Sequence, residues 1–241
     1  MTGKDSVLLV GRGALAEDLG GAARDAGYRV LRIDDLRGIE REAPAAAIAI
    51  EACVTDHYRK QEVLTALGNA LMPQAMVLVD ALPATVAECA SWLGQPRQCV
   101  GYGVLGRLRA QHIVEIARGS RTAEGAVERA KEFFTDLGIE TRSVGDWPGL
   151  IGGRTIATLA NEAAWAVTNG VASAADVDRA MQLGTNYPRG PLAWAQEIGI
   201  DRILTILENL RRHDGEAYAP APLWLELAAR HSEARIGVNG E

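Results

Sequence analysis

The first half of the chain alternates short apolar runs with helical patterns, and this alternation constrains the fold more than any other feature. The runs of strand length are Val7–Val10, Val30–Ile33, Ala47–Ile50, Met76–Val79 and Cys99–Tyr102. The segments with a helical pattern are Ala14–Ala26, Asp56–Met72, Ala84–Leu93 and Thr122–Leu137. Strands that are apolar on both faces are typical of a parallel sheet covered by helices on both sides. The pattern therefore predicts a doubly wound α/β domain.

The pattern changes after Pro148-Gly149, where only helical spacing continues. Its segments are Ile151–Asn169, Ala174–Leu183, Pro191–Ile198 and Asp201–His213. A Pro-Gly pair is a common break between domains. The 241 residues therefore predict two domains, a doubly wound parallel sheet over 1–147 and an all-helical C-terminal domain over 148–241.

Charge and residue types exclude several classes of function. The net charge of -6 disfavours nucleic acid and anionic lipid as main partners. The 3 cysteines and 4 histidines form no C-x-x-C or H-x-x-x-H motif, so we expect no metal site. No apolar run approaches the roughly 18 residues of a membrane span, and the N-terminus lacks a signal-peptide pattern. These features predict a cytoplasmic protein with reduced thiols.

A glycine loop follows the first apolar run directly and opens the first helix. Its sequence, Gly11-Arg12-Gly13-Ala14-Leu15-Ala16, has the form G-x-G-x-x-A. In such loops the glycines allow a tight turn and a close approach of the backbone to a pyrophosphate, which the helix N-terminus attracts. Asp34 ends the second strand run, where a carboxylate binds the ribose hydroxyls of NAD and repels an extra 2′-phosphate.

These features predict a Rossmann-like NAD site. The expected cofactor-binding residues are Gly11, Arg12, Gly13, Leu15, Ala16 and Asp34. The alternative is that the glycines serve only the fold. Glu17 and Asp18 favour this alternative, because acidic side chains in the first helical turns make the loop less attractive to an anion.

Several ordered motifs occupy the second half of the chain. They are Pro148-Gly149-Leu150-Ile151, Asn161-Glu162-Ala163-Ala164, Gly170-Val171-Ala172-Ser173, Asp176-Val177-Asp178-Arg179-Ala180-Met181 and Leu183–Pro191. This series resembles the C-terminal domain of 3-hydroxyacyl-CoA dehydrogenases. Thinner similarity extends over the first half, through Gly11–Ala16, Asp34, Glu51-Ala52 and Ile113–Ile116. The chain looks similar to the degenerate second copy of both domains that some larger members of this family carry.

The resemblance implies NAD-linked oxidation of a 3-hydroxyacyl-CoA to a 3-oxoacyl-CoA, in fatty acid metabolism, with a histidine base oriented by a glutamate. The glutamate falls on Glu115, which is the one catalytic residue that we expect here. The position of the family's histidine is occupied by Gly103, and that of its substrate-binding asparagine by Gly153. The family segment that contains a functional serine corresponds to residues 80–83, Asp-Ala-Leu-Pro. With these polar groups missing, the resemblance implies weak or atypical activity.

Two further comparisons with the family concern the cofactor and CoA. Lys60 matches a family lysine near the cofactor ribose, so the resemblance adds it to the cofactor-binding residues; the alternative is a solvated lysine on a helix surface. Only residues 35–44 join the second and third strand runs, where the family usually inserts a long helical arm that contributes to holding CoA. An acyl-CoA ligand would therefore lack that arm.

Other side chains offer little replacement for the missing base. His112 precedes Glu115 by three residues, which places the two on opposite faces of a strand. His57 follows the third strand run, where a structural or exposed role is the more common one. Tyr102 and Tyr187 could donate hydrogen bonds in a cleft, although rings packed at a domain junction are the favoured interpretation.

Three functions therefore remain open from the sequence. The first is an NAD-linked 3-hydroxyacyl-CoA dehydrogenase with weak or atypical activity. The second is a catalytically inactive paralogue that acts as a dimerising or ligand-binding module. The third, an oxidoreductase for a different hydroxy acid, would need a base that the sequence does not identify.

The helical half also carries large apolar residues, which predict a homodimer through this domain, as in the family. The residues are Trp165, Trp194, Ile203, Leu207, Leu223, Trp224, Leu225 and Leu227. The alternative is that they simply bury against each other and against the first domain.

Overall fold

The computed structural model describes residues 4–52, 56–108 and 113–238, with side chains described up to residue 230. It divides into two compact units, Met1–Ile151 and Gly152–Glu241. The boundary expected at 147/148 lies just before this division.

The first unit contains a seven-stranded sheet in the order β2-β1-β3-β4-β5-β6-β7. The strands are β1 (Ser6–Val10), β2 (Arg29–Ile33), β3 (Ile48–Glu51), β4 (Met76–Asp80), β5 (Cys99–Gly103), β6 (Ile113–Arg118) and β7 (Glu140–Gly145). The helices are α1 (Ala14–Asp25), α2 (Leu36–Glu42), α3 (His57–Ala70), α4 (Val86–Leu93) and α5 (Glu124–Asp136). Strands and helices alternate along the chain, so the predicted Rossmann-like α/β fold is confirmed.

The sheet departs from the prediction of a wholly parallel arrangement at one pair. β5 and β6 run antiparallel, and every other neighbouring pair runs parallel. The loop between β5 and β6 is too short for the crossover of a dozen or more residues that a parallel pair needs, so β6 turns back. The strand β7, which the apolar runs did not predict, then pairs with β6 in parallel.

Burial follows the position of each strand in the sheet. All residues of β3, β4 and β5 are buried, as expected for central strands covered on both faces. The prediction that the second run is buried on both faces is wrong. β2 lies at the edge of the sheet, where Leu31 is 43% exposed, because an edge strand has a neighbour on one side only. β7 forms the other edge and is likewise polar and exposed.

The second unit is wholly helical over its described residues, as predicted. Its helices are α6 (Gly152–Thr168), α7 (Ala174–Thr185), α8 (Pro191–Ile198), α9 (Ile200–Asp214) and α10 (Pro222–Val238). Only α10 was not predicted. Arg154 at the start of α6 pairs with Asp214 at the end of α9, 2.6 Å away. Asn161 accepts from the backbone N–H of Ala221 at 2.8 Å, so α6 is tied to the segment that leads into α10.

The part of the chain that the structure describes contains neither a membrane-spanning helix nor a metal-binding cluster. None of its helices has both the length and the apolar character required to cross a membrane. No group of three or more histidine, cysteine, aspartate or glutamate side chains within the same residues is arranged to hold a metal ion.

A prediction follows from the contact of α3 with α4. A Cβ atom on Gly68 would overlap the backbone carbonyl oxygen of Leu93, the last residue of α4. We expect Gly68→Ala to lower the free energy of unfolding by about 1–3 kcal/mol or more, because the backbone must move. Gly125→Ala, on α5, is the matched control, since the added methyl group meets open space and gains up to about 1 kcal/mol of helix propensity. Urea denaturation measures both; equal stabilities for the two variants would contradict the contact.

Candidate functional site

Most of the predicted site residues lie at one edge of the first unit. The strands β1 to β5 are mutually parallel, so their carboxyl ends meet at the same edge of the sheet. β1 lies between β2 and β3, and ligands of open α/β sheets bind where the strand order reverses in this way. The glycine loop follows β1, and Asp34 and Gly103 lie at the carboxyl ends of β2 and β5. The glycine loop, the carboxylate of Asp34 and the Gly103 position, where the family's histidine is missing, therefore share this edge of the sheet.

The geometry of the glycine loop explains its residues. Gly11 has a φ of 147°, and a Cβ atom there would overlap the carbonyl oxygen of Ala52, which follows β3. Gly13 has a φ of 88° and open space beside its Cα, and as the N-cap of α1 it provides no side-chain hydrogen bond to the helix. The amide groups at the start of α1 thus lack a capping side chain. This is the arrangement in which a helix N-terminus binds phosphate.

Each of the two acidic residues in the first turns of α1 has an arginine beside it. Asp18 is buried and accepts two hydrogen bonds from Arg107, at 2.8 and 2.9 Å. Glu17 lies 3.7 Å from Arg32 of β2. These pairs weaken the charge argument against an anion at this loop.

Asp34 and Arg12 form an ion pair across the mouth of the loop. Arg12 Nε lies 2.6 Å from Asp34 Oδ2, and the two side chains are 80% and 43% exposed. Arg59 of α3 donates to the backbone carbonyl of Asp34 at 3.3 Å. The carboxylate thus lies where the sequence predicted it, at the end of β2, with an arginine bound to it.

Lys60 lies in an unexpected environment. The alternative of a solvated lysine is wrong, because the residue is fully buried and its ammonium group pairs with Glu51 at the end of β3. Glu51 Oε2 also accepts from the backbone N–H of Asp80 at 3.1 Å. The carbonyl oxygen of Glu51 accepts from the hydroxyl of Tyr102 at 2.8 Å. Glu51 therefore joins α3 to the carboxyl ends of β3, β4 and β5.

Burial and charge oppose each other in this network. Burial alone would lower the pKa of Lys60, but the facing charge of Glu51, with contributions from Cys89 and Asp80, raises it above its ordinary value. The pairing with Glu51 thus favours the charged form of Lys60, while burial raises the pKa of Glu51 itself and the facing ammonium group opposes that rise. Burial also raises the pKa of Cys99 to about 12, so this thiol is not an activated nucleophile.

Glu115 lies opposite Gly103 in the antiparallel pair of β5 and β6. A Cβ atom on Gly103 would lie 3.4 Å from Glu115 Oε2, so the two positions that the resemblance pairs are adjacent. The same Cβ atom would lie 2.8 Å from Leu150 Cδ1 and 3.3 Å from Leu82 Cδ2. Glu115 Oε2 accepts the backbone N–H of Ile151 at 3.1 Å. Leucine side chains thus border the space that a side chain at 103 would enter.

The other residues considered for the site have different surroundings. Residues 81–84 are buried, and Asp80 Oδ1 accepts from the backbone N–H of Leu82 at 3.2 Å. Gly153 is a buried residue of α6 in the second unit. Tyr102 lies in the core of the first unit rather than in a cleft, with its ring 6.0 Å from that of Phe134.

The histidines considered and the second tyrosine lie outside the strands of the Glu115–Gly103 pair or outside the described residues. His57 is the first residue of α3, and its ring packs edge-on against Trp92 with the centroids 4.8 Å apart. Tyr187 is 37% exposed in the second unit. His112 and Cys53 lie outside the described residues.

The sequence interpretation missed the roles of three site residues. Glu51 was used only as a point of resemblance, Asp80 only as part of the segment 80–83, and Arg107 not at all. The sequence does contain a signal for Glu51 and Asp80, because each is a single acidic residue directly after a buried apolar run. A charge in such a place requires a partner. No local signal links Arg107 to Asp18, 89 residues earlier in the chain.

Comparison with protein families places both units in one family. The description "3-hydroxyacyl-CoA dehydrogenase, NAD binding domain" matches residues 22–146, and "3-hydroxyacyl-CoA dehydrogenase, C-terminal domain" matches residues 149–236. The chain belongs to the 3-hydroxyacyl-CoA dehydrogenase family. The predicted family is therefore confirmed, and the first unit is its NAD-binding domain.

Individual relatives agree with this assignment. A probable 3-hydroxybutyryl-CoA dehydrogenase of Deinococcus radiodurans is 30% identical over 91% of this chain and 81% of its own. The 3-hydroxyadipyl-CoA dehydrogenase of Escherichia coli is 34% identical over 80% of this chain, but the match spans only 39% of that protein. For a probable 3-hydroxybutyryl-CoA dehydrogenase of Bacillus subtilis the identity is 31%, over 76% of this chain and 64% of the relative.

Solved structures of other proteins share the fold of this chain. The (S)-3-hydroxybutyryl-CoA dehydrogenase PaaH1 from Ralstonia eutropha superposes with a TM-score of 0.76, covering 94% of both chains at 21% identity. FadB2 of M. tuberculosis gives a TM-score of 0.80 over 93% of both chains, also at 21% identity. At these identities the likeness concerns the fold alone.

A prediction follows from the buried pair of Glu51 and Lys60. We expect Lys60→Met to lower the free energy of unfolding by about 3–5 kcal/mol, because it leaves the Glu51 carboxylate buried without its counter-charge. The double variant Glu51→Gln/Lys60→Met should recover most of this loss, since neither charge remains. Urea denaturation at neutral pH measures both variants. A single variant as stable as the double one would show that the charges do not depend on each other.

Proposed function

We propose that this chain is an NAD-linked oxidoreductase that acts on 3-hydroxyacyl-CoA thioesters with weak or atypical activity. The family supports the reaction class, and the intact glycine loop with Asp34 supports cofactor binding. The observation that carries the proposal is the register of β5 and β6. It aligns Glu115 with a glycine at 103, so the carboxylate is present and the imidazole that it would orient is not.

The side chains present fit an NAD molecule at the carboxyl edge of the sheet. The backbone of Gly11 and Gly13 and the uncapped start of α1 would hold the pyrophosphate, and Asp34 would bind the ribose hydroxyls. The chemistry that a bound NAD would supply there is a hydride acceptor for the substrate carbon that carries the hydroxyl group. Lys60 is buried against Glu51, so we assign it the role of positioning the segments that surround the cofactor.

The proton of the substrate hydroxyl has no evident acceptor at position 103. An alcohol releases hydride readily only as its proton leaves, and a positioned base contributes typically about 10²–10⁴ in rate. Glu115 binds the backbone N–H of Ile151, which keeps the segment after β7 close to β6. We therefore expect Glu115 to position this segment in the protein as it stands, and solvent to take the proton slowly.

A second candidate is a catalytically inactive paralogue that binds ligand or a partner. It is favoured by Leu82 and Leu150, whose side chains border the space beside Gly103 and make it apolar. The shortened connection between β2 and β3, in which α2 spans only Leu36–Glu42, favours it as well, since the family's CoA-holding arm is absent there. The first candidate converts substrate slowly and the second does not convert it at all, whereas both are expected to bind the cofactor.

The activity test uses restoration of the imidazole. We expect the unmodified protein to bind NADH in calorimetry but to oxidise it with acetoacetyl-CoA at least about 10²-fold more slowly than the 1–10³ s⁻¹ of typical enzymes. Gly103→His/Leu150→Ala places the base beside Glu115 and removes the colliding leucine, so we expect a rise of at least about tenfold in kcat.

The controls separate the base from the altered packing. Gly103→Gln/Leu150→Ala fills the same space without an imidazole and should show no gain, and adding Glu115→Gln to the histidine variant should reduce the gain. NADH binding without any turnover in the unmodified protein supports the inactive paralogue. Turnover of a different hydroxy acid alone points to another substrate class. A typical kcat in the unmodified protein contradicts weak activity.

We also propose a twofold homodimer through the second unit. Three of the residues that suggested it, Ile203, Leu207 and Trp224, are buried in the chain, so they do not support a contact with a second copy. The support comes from Leu225, which is 54% exposed, and from three apolar residues outside that set, Val171, Leu183 and Tyr187, which are 75%, 67% and 37% exposed. In addition, α7 has no buried residue, which is unusual for an amphipathic helix.

Sedimentation velocity tests the homodimer. We expect a dimer at micromolar concentration for the unmodified protein and a monomer for Leu183→Glu, because the variant places a charge on an apolar contact. Gln74→Glu adds the same charge at an exposed polar position of the first unit and should leave the dimer intact. A monomeric unmodified protein would rule out the proposed contact.

A further inference from the structure

In this fold the acid at the end of the second strand binds the cofactor ribose. In this protein that acid, Asp34, forms an ion pair with an arginine. Asp34 Oδ2 accepts from Arg12 Nε at 2.6 Å, and Arg12 is the residue between the two glycines of the loop. The Arg12 side chain is 80% exposed. A free carboxylate at this position repels the 2′-phosphate of NADP. The ion pair with Arg12 cancels that charge and keeps a guanidinium group at the same place.

A second arginine contacts the backbone of Asp34. Arg59 of α3 donates through Nη2 to the backbone carbonyl of Asp34 at 3.3 Å and through Nη1 to Glu62 at 3.1 Å. The neighbouring acid, Asp35, is engaged as the N-cap of α2, where it accepts from the backbone N–H of Gly38 at 2.7 Å. Two guanidinium groups therefore flank the end of β2, and the acids beside them already have partners.

Arg12 can contact a phosphate without leaving Asp34. Only its Nε donates to Asp34, and the side chain is 80% exposed, so its other N–H groups can face a ligand while the charge of Asp34 stays paired. A phosphate group offers the planar guanidinium two parallel charge-assisted hydrogen bonds, which are stronger than an exposed carboxylate contact. Asp34 remains available for ribose hydroxyls when the cofactor has no 2′-phosphate.

We infer that Arg12 adapts the ribose end of this nucleotide site to a 2′-phosphate, so that the protein binds NADP(H) as well as NAD(H). Arg12 is then a residue that determines cofactor specificity, and Asp34 supplies the opposing preference for NAD(H). This inference rests on the proposed function only in that it requires a dinucleotide at the loop. It does not depend on turnover.

Direct binding of the two reduced cofactors tests the inference on the full chain. Titrations of NADH and NADPH are followed by calorimetry at low salt. We expect the Kd for NADPH in the unmodified protein to lie within tenfold of that for NADH. Arg12→Ala should weaken NADPH at least tenfold and change NADH less than threefold. Asp34→Asn should shift the ratio in favour of NADPH.

A matched control removes the same charge elsewhere. Arg121 is exposed after β6, which runs antiparallel to β5 and therefore ends at the opposite edge of the sheet. Arg121→Ala should change the Kd of neither cofactor. Circular dichroism confirms that each variant is folded.

The possible outcomes separate the inference from the proposed function. NADH binding with NADPH at least 100-fold weaker overturns the inference and leaves the proposed function intact. Equal loss of both cofactors in Arg12→Ala also overturns it, because Arg12 then contacts the shared pyrophosphate. Binding of neither cofactor to the unmodified protein overturns the proposed function together with the inference.

Discussion

The buried ion pair of Glu51 and Lys60 is the interaction on which the nucleotide-facing edge depends. Glu51 ends β3, and its carboxylate pairs with the ammonium group of Lys60 from α3 and accepts from the backbone N–H of Asp80 from β4. Its backbone carbonyl oxygen accepts from the hydroxyl of Tyr102 of β5. A charge in the interior is costly unless it is paired and hydrogen-bonded. The position of α3 and the ends of three strands are therefore coupled through one carboxylate.

Close backbone approach is the second constraint at this edge. At Gly11 the absence of a side chain lets the loop pass against the end of β3, next to the place where phosphate binds in this fold. Gly103 also lacks a side chain, but there the missing side chain leaves no polar group beside Glu115. Leu150 and Leu82 border the space instead. Leu150 adopts a φ of 53°, which is unfavourable for a leucine and persists only because its surroundings hold it. The edge thus combines features suited to a nucleotide with an apolar surface beside Glu115.

The central elements of the first unit were predictable because burial imposes a pattern on them. β3, β4 and β5 are apolar on both faces, and α3 and α5 carry one buried face each. The edge strand β7 escaped prediction because none of its residues is buried and they include charged groups, so it has no apolar run. The helix α2 escaped it because seven residues in a short crossover give too few turns for a helical period.

The sequence by itself determined the alternating architecture, the helical second half, the glycine loop and the family, since these depend on local dihedral preferences, burial and the order of motifs. Only the tertiary structure decided which charges meet. The pairs of Arg12 with Asp34, of Arg107 with Asp18 and of Lys60 with Glu51 join different elements of the first unit. The physical reason is that a local pattern reports how buried a residue is, whereas the partner of a charge depends on strand order and register. Strand order and register are set by long-range packing.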